Sequence, residues 1–344
     1  MGSEVGNVPR LKEGPSTTLE EVARHAGVSR STVSRVINGG SRVSPDALEA
    51  VNRAIGELRY VPNRAARSLA SRQSHAIALI VPEDTTRFFG DPYFSAIVAG
   101  INDRVSASPY MLGLFIASDD PADKAASFIA SGSVDGALVV SHHTSDEYLG
   151  RIARSTTVVY GGRPMDSRDD DYWVDVDNVE GGRIATRHLV ERGCRRIAMI
   201  TGPPDMRAGV ERLAGFREVL ADEGLEPVGV EDGEFSAVGA VAAMTRILDS
   251  GVTPDAVFVA SDLMARGALG VLEGRGLRVP DDVAIVGFDD SPVAARVTPP
   301  LTTVRQPSRE QGAVMADVLI RLLSGEDPPT ESMLPLELVV RASA

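Results

Sequence analysis

The sequence predicts a small all-α helix-turn-helix head followed by an α/β body made of two doubly wound parallel-sheet lobes. Three observations carry that expectation. Capped amphipathic helices crowd into about 45 residues after Thr17; apolar strand-length runs then alternate with helical stretches over about 270 residues; and the charge changes sign between the two parts. Residues 17–72 hold nine arginines against five carboxylates, whereas residues 73–344 hold 24 basic against 41 acidic groups. A small basic module joined to a large acidic body fits a nucleic-acid contact confined to one end.

The remaining composition sets bounds. With 344 residues, 43% of them hydrophobic, about two domains with ample cores are expected, and the net charge of −13 argues against a protein that coats nucleic acid along its whole length. No run of about 18 apolar residues is present, so no membrane partner is expected. Residues 1–16, MGSEVGNVPRLKEGPS, lack the apolar stretch of a signal peptide and read as a disordered tail; Gly6 stands where a myristoylation signal needs Ser or Thr. One cysteine, Cys194, allows no internal disulfide and anchors no cysteine metal site, which fits a cytoplasmic location.

In the head, Thr18 and Glu21 have the spacing of a capping box, so a helix should begin there. Ala23, Gly27 and Val33 then supply a small residue at a helix crossing, a residue free to turn, and an apolar plug. Ser29 should cap a second helix, SRSTVSRVIN, that buries Val33, Val36 and Ile37 and leaves Arg30, Ser31, Ser34 and Arg35 outside. Ser44, Pro45 and Asp46 open a third, with Val51, Ile55 and Leu58 inward. An exposed helical face carrying two arginines suits a major groove, where a guanidinium donates twice to guanine. Next comes NRAARSLA, Asn63 to Ala70, a helix-forming stretch too short to be stable alone. Arg64 and Arg67 suit phosphates on either side of a groove and Leu69 suits insertion between bases, so this segment is expected to be helical only on DNA.

The body reads as strands HAIALIV, YMLGLFI, DGALVV, TTVVY, RIAMIT, DAVFVA and DVAIVGF alternating with helical stretches such as GGRIATRHLVERG, RLAGFREVLADEG and AVGAVAAMTRILDSG. A break near VDVDNVEGG suggests two lobes. Ligands of open parallel sheets sit beyond the carboxyl ends of strands. That rule selects Arg163 after TTVVY, Arg207 and Arg212 after RIAMIT, Ser261 and Asp262 after DAVFVA, and Asp289 and Asp290 after DVAIVGF. Carboxylates, guanidinium groups and aromatics together suit a polyhydroxylated ligand. Trp173 reads either as a stacking platform or as packing. The pair His142–His143 has no further ligand nearby in sequence and reads as surface or pocket wall rather than metal site.

The stretches TLEEVARHAGVSRSTVSRVINGG and VSPDALEAVNRAIGELRYVPNRAARSLA strongly resemble the DNA-binding head and hinge of the LacI/GalR (lactose-repressor) family. The body is similar to the periplasmic-binding-protein-like effector domains of that family through DVDNVEGG, GPPDMRAGVERLAGFREVL, FVASDLMARGAL, VPDDVAIVGFDDSPVA and PPLTTVRQP, and most similar to actinobacterial repressors of cellulose and β-glucoside use. The resemblance implies that Arg30, Ser31 and Arg35 read bases. It implies that Thr18, Ser29, Thr32, Ser34, Asn38 and Tyr60 make or support phosphate contacts, and that Asn63, Ala66 and Leu69, with Arg64 and Arg67 among them, form a minor-groove hinge helix. For the body it implies an effector clamp of Arg212 and Asp289, an aromatic Phe235 beneath the ligand, Tyr93 and Phe94 lining the N-terminal lobe, and Arg163, Asp262 and Asp177 nearby.

The expected organisation is a tail (1–16), a head (17–62), a hinge and linker (63–74) and a body (75–344), its N-lobe about 75–176 and 305–328 and its C-lobe about 177–304 and 329–344. The expected function is a repressor of carbohydrate-utilisation genes, a homodimer on near-palindromic double-stranded operator DNA, released by a small sugar such as cellobiose, with no cofactor and no metal. The dimer also follows from the chain's end at Ala344, which leaves no room for a heptad tail. A sugar-transport protein and a regulator responding to a nucleobase are the alternatives. An enzyme is disfavoured by the absence of G-x-S-x-G, G-x-x-x-x-G-K-[ST], H-E-x-x-H and G-x-G-x-x-G.

Overall fold

The computed structural model describes residues 17–37, 43–60, 73–118 and 124–344. The chain divides into two units, Met1–Gln73 and Ser74–Ala344. In the first, Thr18 caps α1 (Leu19–Ala26) reciprocally with Glu21, and Gly27 closes it at φ 67°, a left-handed conformation that costs glycine little. Ser29 accepts a hydrogen bond from the Thr32 amide at 3.1 Å at the start of α2 (Arg30–Ile37), and Ser44 caps α3 (Pro45–Glu57). Val22, Ala23, Val33, Val51, Ala54 and Tyr60 form the buried core that the three helices share. Asn38, Asn63, Arg64, Ala66, Arg67 and Leu69 lie outside the described residues.

The body begins at once. The Ser74 amide donates to Asp135 at 2.7 Å, and so does that of His75, so Ser74 is fastened to the body rather than to a linker. Its first sheet runs β11-β5-β4-β3-β1-β2. The members are β1 (Ala76–Val81), β2 (Met111–Ile116), β3 (Gly136–Val140), β4 (Thr157–Gly161), β5 (Tyr172–Val176) and β11 (Glu331–Leu334). Around them lie α4 (Thr85–Gly90), α5 (Pro92–Val105), α6 (Lys124–Phe128), α7 (Glu147–Ser155) and α12 (Ser308–Leu323).

The second sheet runs β12-β10-β9-β8-β6-β7, from β6 (Ile197–Thr201), β7 (Gly229–Asp232), β8 (Ala256–Val259), β9 (Ala284–Asp289), β10 (Thr302–Arg305) and β12 (Glu337–Val339). Its helices are α8 (Asn178–Glu191), α9 (Arg207–Asp222), α10 (Ala237–Asp249) and α11 (Asp262–Gly274). All pairings are parallel except β10 with β12. Strands β1, β3, β6, β8 and most of β9 are buried on both faces, which explains why they read as continuous apolar runs.

The chain passes between the sheets at 176–178, 305–308 and 334–337. The last crossing differs from the expected one at 329: Glu331–Leu334 pairs with β5 as an edge strand of the first sheet. Its exposure alternates, so it offers no apolar run to mark it, and its place is fixed by main-chain bonds to β5. Among the described residues, no helix is long and apolar enough to cross a membrane.

Candidate functional sites: a reading helix and an interlobe cleft

On the head, α2 presents Arg30, Ser31 and Arg35 outward while Val33 is fully buried beneath them. Arg30 makes an exposed ion pair with Glu20 of α1 at 2.8 Å. The Ser29 hydroxyl lies 2.8 Å from those of both Ser31 and Thr32, so three hydroxyls cluster at the helix N-terminus. Hydroxyls and free amides at the positive end of a helix suit a phosphate. Thr18 is exposed and Ser34 half-buried, whereas the Tyr60 ring belongs to the head's core and supports this surface from inside.

In the body, a cleft opens beyond the carboxyl ends of strands from both sheets. It stands where the strand order reverses in each sheet, between β1 and β3 and between β6 and β8. Tyr93, Arg163, Arg212, Phe235 and Asp289 all line it, as do Arg207 and Ser261. Arg212 is 4% exposed, and its guanidinium is stacked 3.5 Å from the centroid of Phe288. Its Nε donates to Asn178 Oδ1 at 3.0 Å and its Nη1 to the Ala260 carbonyl at 2.7 Å. Burial lowers its pKa, and the nearby Asp289 and Asp175 carboxylates oppose that shift. Asp289 accepts from Gln306 Nε2 at 2.6 Å; burial foremost, then the Asp262 carboxylate, raises its pKa well above the ordinary value while Arg212 pulls it back. Phe235 rests on the main chain of Gly202, where any Cβ would strike the ring.

Backbone strain gathers at the same strand ends. Ser141 after β3, Glu234 and Phe235 after β7, and Asp289 and Asp290 at the end of β9 have φ of 58°, 54°, 44°, 111° and 53°. Non-glycine residues in the left-handed region cost about 1–3 kcal/mol each and concentrate where a side chain must be aimed.

Three expected site residues, Phe94, Asp262 and Asp177, are not on the cleft wall. Phe94 is 1% exposed and packs against Phe88 and Tyr93, because neighbours on α5 point about 100° apart and Tyr93 takes the cleft side. Asp262 is fully buried behind the wall, accepting from Thr303 Oγ1 and the Ser291 amide. Asp177 caps α8 through the Glu180 amide and lies away from the cleft. Trp173 is buried in the first lobe under the Arg163 guanidinium, so packing is its role.

Several polar residues of the cleft were missed: Asp91, Asp175, Asn178, Gln306 and Gln311. Asp175 is the penultimate residue of β5 and Gln306 follows β10, so the strand-end rule finds them once those strands are recognised. Burial pushes the Asp175 carboxyl up to about 6. His142 also lines the cleft; burial lowers its pKa, and its Nε2 donates to the Gly162 carbonyl at 3.1 Å, leaving a lone pair on Nδ1. His143 instead bridges the lobes, with Nε2 3.3 Å from Glu83 and Nδ1 3.0 Å from Asp205, and hydrogen bonds to these carboxylates raise its pKa to about 9. Among the described residues no group of three or more His, Cys, Asp or Glu is placed to hold a metal.

Residues 18–63 match the family model for bacterial regulatory proteins of the lacI family, and 186–344 match a periplasmic binding protein-like domain. Over 332 residues the chain is 46% identical to the HTH-type transcriptional regulator CelR of Thermobifida fusca, covering 95% of this chain and 98% of that protein. The chain belongs to the lacI family of bacterial regulatory proteins. The ribose operon repressor of Escherichia coli K12 is 36% identical over 89% of this chain and 93% of its own length. A solved CelR–cellobiose complex superposes with a TM-score of 0.76 at 44% identity, covering 95% of this chain and 100% of that one. The lac repressor dimer bound to operator and the anti-inducer ONPF gives 0.83 at 29% identity, covering 95% and 98%. These lacI-family relatives are transcriptional regulators, so this chain is a regulator with a DNA-binding head and not an enzyme.

Proposed function

We propose that this lacI-family regulator is a cytoplasmic homodimeric repressor of carbohydrate-utilisation genes whose cleft takes a small sugar, with cellobiose or a related β-glucoside as the first candidate. The observation that carries the reading is the pairing of buried Arg212 with half-buried Asp289 beside Phe235, in a chain that also carries the exposed face of α2. An aromatic face beside a buried guanidinium and a carboxyl can grip several hydroxyls of one sugar, and the similarity to CelR, solved with cellobiose, supports that ligand class. On the DNA side, Arg30, Ser31 and Arg35 read bases while Thr18, Ser29, Thr32, Ser34, Asn38 and Tyr60 make or support phosphate contacts. Asn63, Arg64, Ala66, Arg67 and Leu69 engage the minor groove. Two heads on a near-palindromic operator give the length of sequence that one reading helix lacks.

Sugar binding that favours one lobe geometry by about 1–3 kcal/mol changes operator affinity 5–150-fold. The test is a thermal-shift screen of mono- and disaccharides and nucleobases on the full chain, followed by operator binding with each hit. Cellobiose at 100 times its Kd should stabilise the protein by about 2.7 kcal/mol and weaken operator binding. Stabilisation by nucleobases alone would replace the sugar with the alternative effector class.

A further inference from the structure

We propose that Asp262 is a positioning residue: from behind the cleft wall its carboxylate holds the left-handed turn at Asp289–Ser291 and so aims the Asp289 carboxyl at the ligand. This rests on the effector reading of the cleft given above. Asp262 stands at the first position of α11, where a carboxylate ordinarily serves the helix end. Ser261 already caps that helix, accepting from the Met264 amide. The two Asp262 oxygens are engaged outside the helix instead. Oδ2 accepts from the Ser291 amide at 2.7 Å, and Oδ1 accepts from Thr303 Oγ1 at 2.7 Å. The same threonine oxygen faces the Asp290 amide at 3.4 Å. Both amides belong to the turn whose residues Asp289 and Asp290 have positive φ.

The slot that admits Asp262 is built for it. A Cβ at Gly287 would lie 2.5 Å from Oδ1, so a side chain there would expel the carboxylate. Without this anchor a non-glycine turn at φ 111° and 53° has a strong tendency to relax, and the Asp289 carboxyl would leave the line set by Gln306 and Arg212. The groups that bear on Asp289 come from several neighbouring elements: Arg212 of α9, Asp262 of α11, Asp91 before α5 and Gln306 after β10, while the Asp290 carboxylate in the turn is held by Arg305 and Arg341. Replacing Asp262 with asparagine therefore does two things. It weakens the anchor, since a single neutral amide oxygen takes the place of the two carboxylate oxygens that accept from Ser291 and Thr303, and it removes an acidic neighbour of Asp289.

The test measures cellobiose affinity of the full chain by calorimetry, from about pH 5 to 8, for wild type, Asp262→Asn, Thr303→Val and Thr303→Ser. Asp262→Asn and Thr303→Val should each bind about tenfold or more weakly, the size of a lost charge-assisted hydrogen bond. Thr303→Ser, which keeps the hydroxyl, should restore affinity to within about twofold of wild type on the same scale. Burial raises the Asp262 carboxyl to about 7, so it titrates together with Asp289, and in Asp262→Asn the dependence of affinity on pH between 5 and 8 should weaken and move to lower pH, a change that loss of fold stability alone does not produce. Unchanged affinity and pH profile in Asp262→Asn, or equal losses in Thr303→Val and Thr303→Ser, overturn the assignment. Should Asp262→Asn fail to fold, the two Thr303 variants decide. No cellobiose binding by wild type overturns the effector reading, and this inference with it.

Discussion

Arg30 and Arg212 carry the same group into opposite environments. Arg30 is 71% exposed and holds an exposed carboxylate on α1, whereas Arg212 is 4% exposed, stacked on Phe288 and held by Asn178 and a main-chain carbonyl. An exposed pair is worth about 0–1 kcal/mol, so Arg30 can leave Glu20 for a base edge with little loss. A buried cation has no such freedom, and removing it strands the carboxylates around it. On the proposed assignment, the head meets DNA with groups that exchange partners easily and the body meets its ligand with groups already fixed.

That contrast breaks most clearly at Arg212. Arg212→Ala leaves half-buried Asp289 without its neighbouring cation and should weaken cellobiose binding by about 3–5 kcal/mol in calorimetry, while operator binding without sugar persists. Val33→Ala acts in the other unit: deleting two methyl groups from the head's core should cost about 1–3 kcal/mol of head stability, seen as an earlier calorimetric melting step, with sugar affinity unchanged. Gly202→Ala drives a methyl group into the Phe235 ring and should cost about 1–2 kcal/mol of sugar affinity without removing any charge.

A smaller effect is expected at His143. Its pKa, raised to about 9 by Glu83 and Asp205 across the lobes, means that the interlobe contact is fully favourable below the ordinary histidine value and is lost as pH rises through about 9. Sugar affinity followed from about pH 7 to 10 should change several-fold in wild type and lose that dependence in His143→Ala. Glu20→Ala should change operator affinity least, by under about 1 kcal/mol, and in the direction of tighter binding because Arg30 is freed.

The head was legible residue by residue, because caps and turns are local: Thr18 with Glu21, Gly27, Ser29 and Ser44 each act within four residues of the chain. The central strands were legible because burial on both faces leaves an unbroken apolar run. The edge strand β11 was not, since Glu331–Leu334 owes its place to main-chain partners on β5. In the cleft, Arg212, Asp289 and Phe235 stood out as charge or ring at the end of a strand or in a family landmark. Asp175 and Gln306 did not, because their strands have a weaker pattern. Phe94 and Asp262 went wrong for a different reason: position in sequence does not say which way a side chain turns, and one residue's difference separates the cleft side of α5 from the core.

The left-handed residues at the ends of β7 and β9 carry a consequence for any attempt to harden this protein. Glycine at Asp289 would relieve a strained backbone, so selection for heat resistance alone would favour losing a carboxylate that faces the cleft. Variants gained that way should survive higher temperatures while no longer hearing the metabolite, which makes the inducible state of the regulator the first casualty of its own stabilisation.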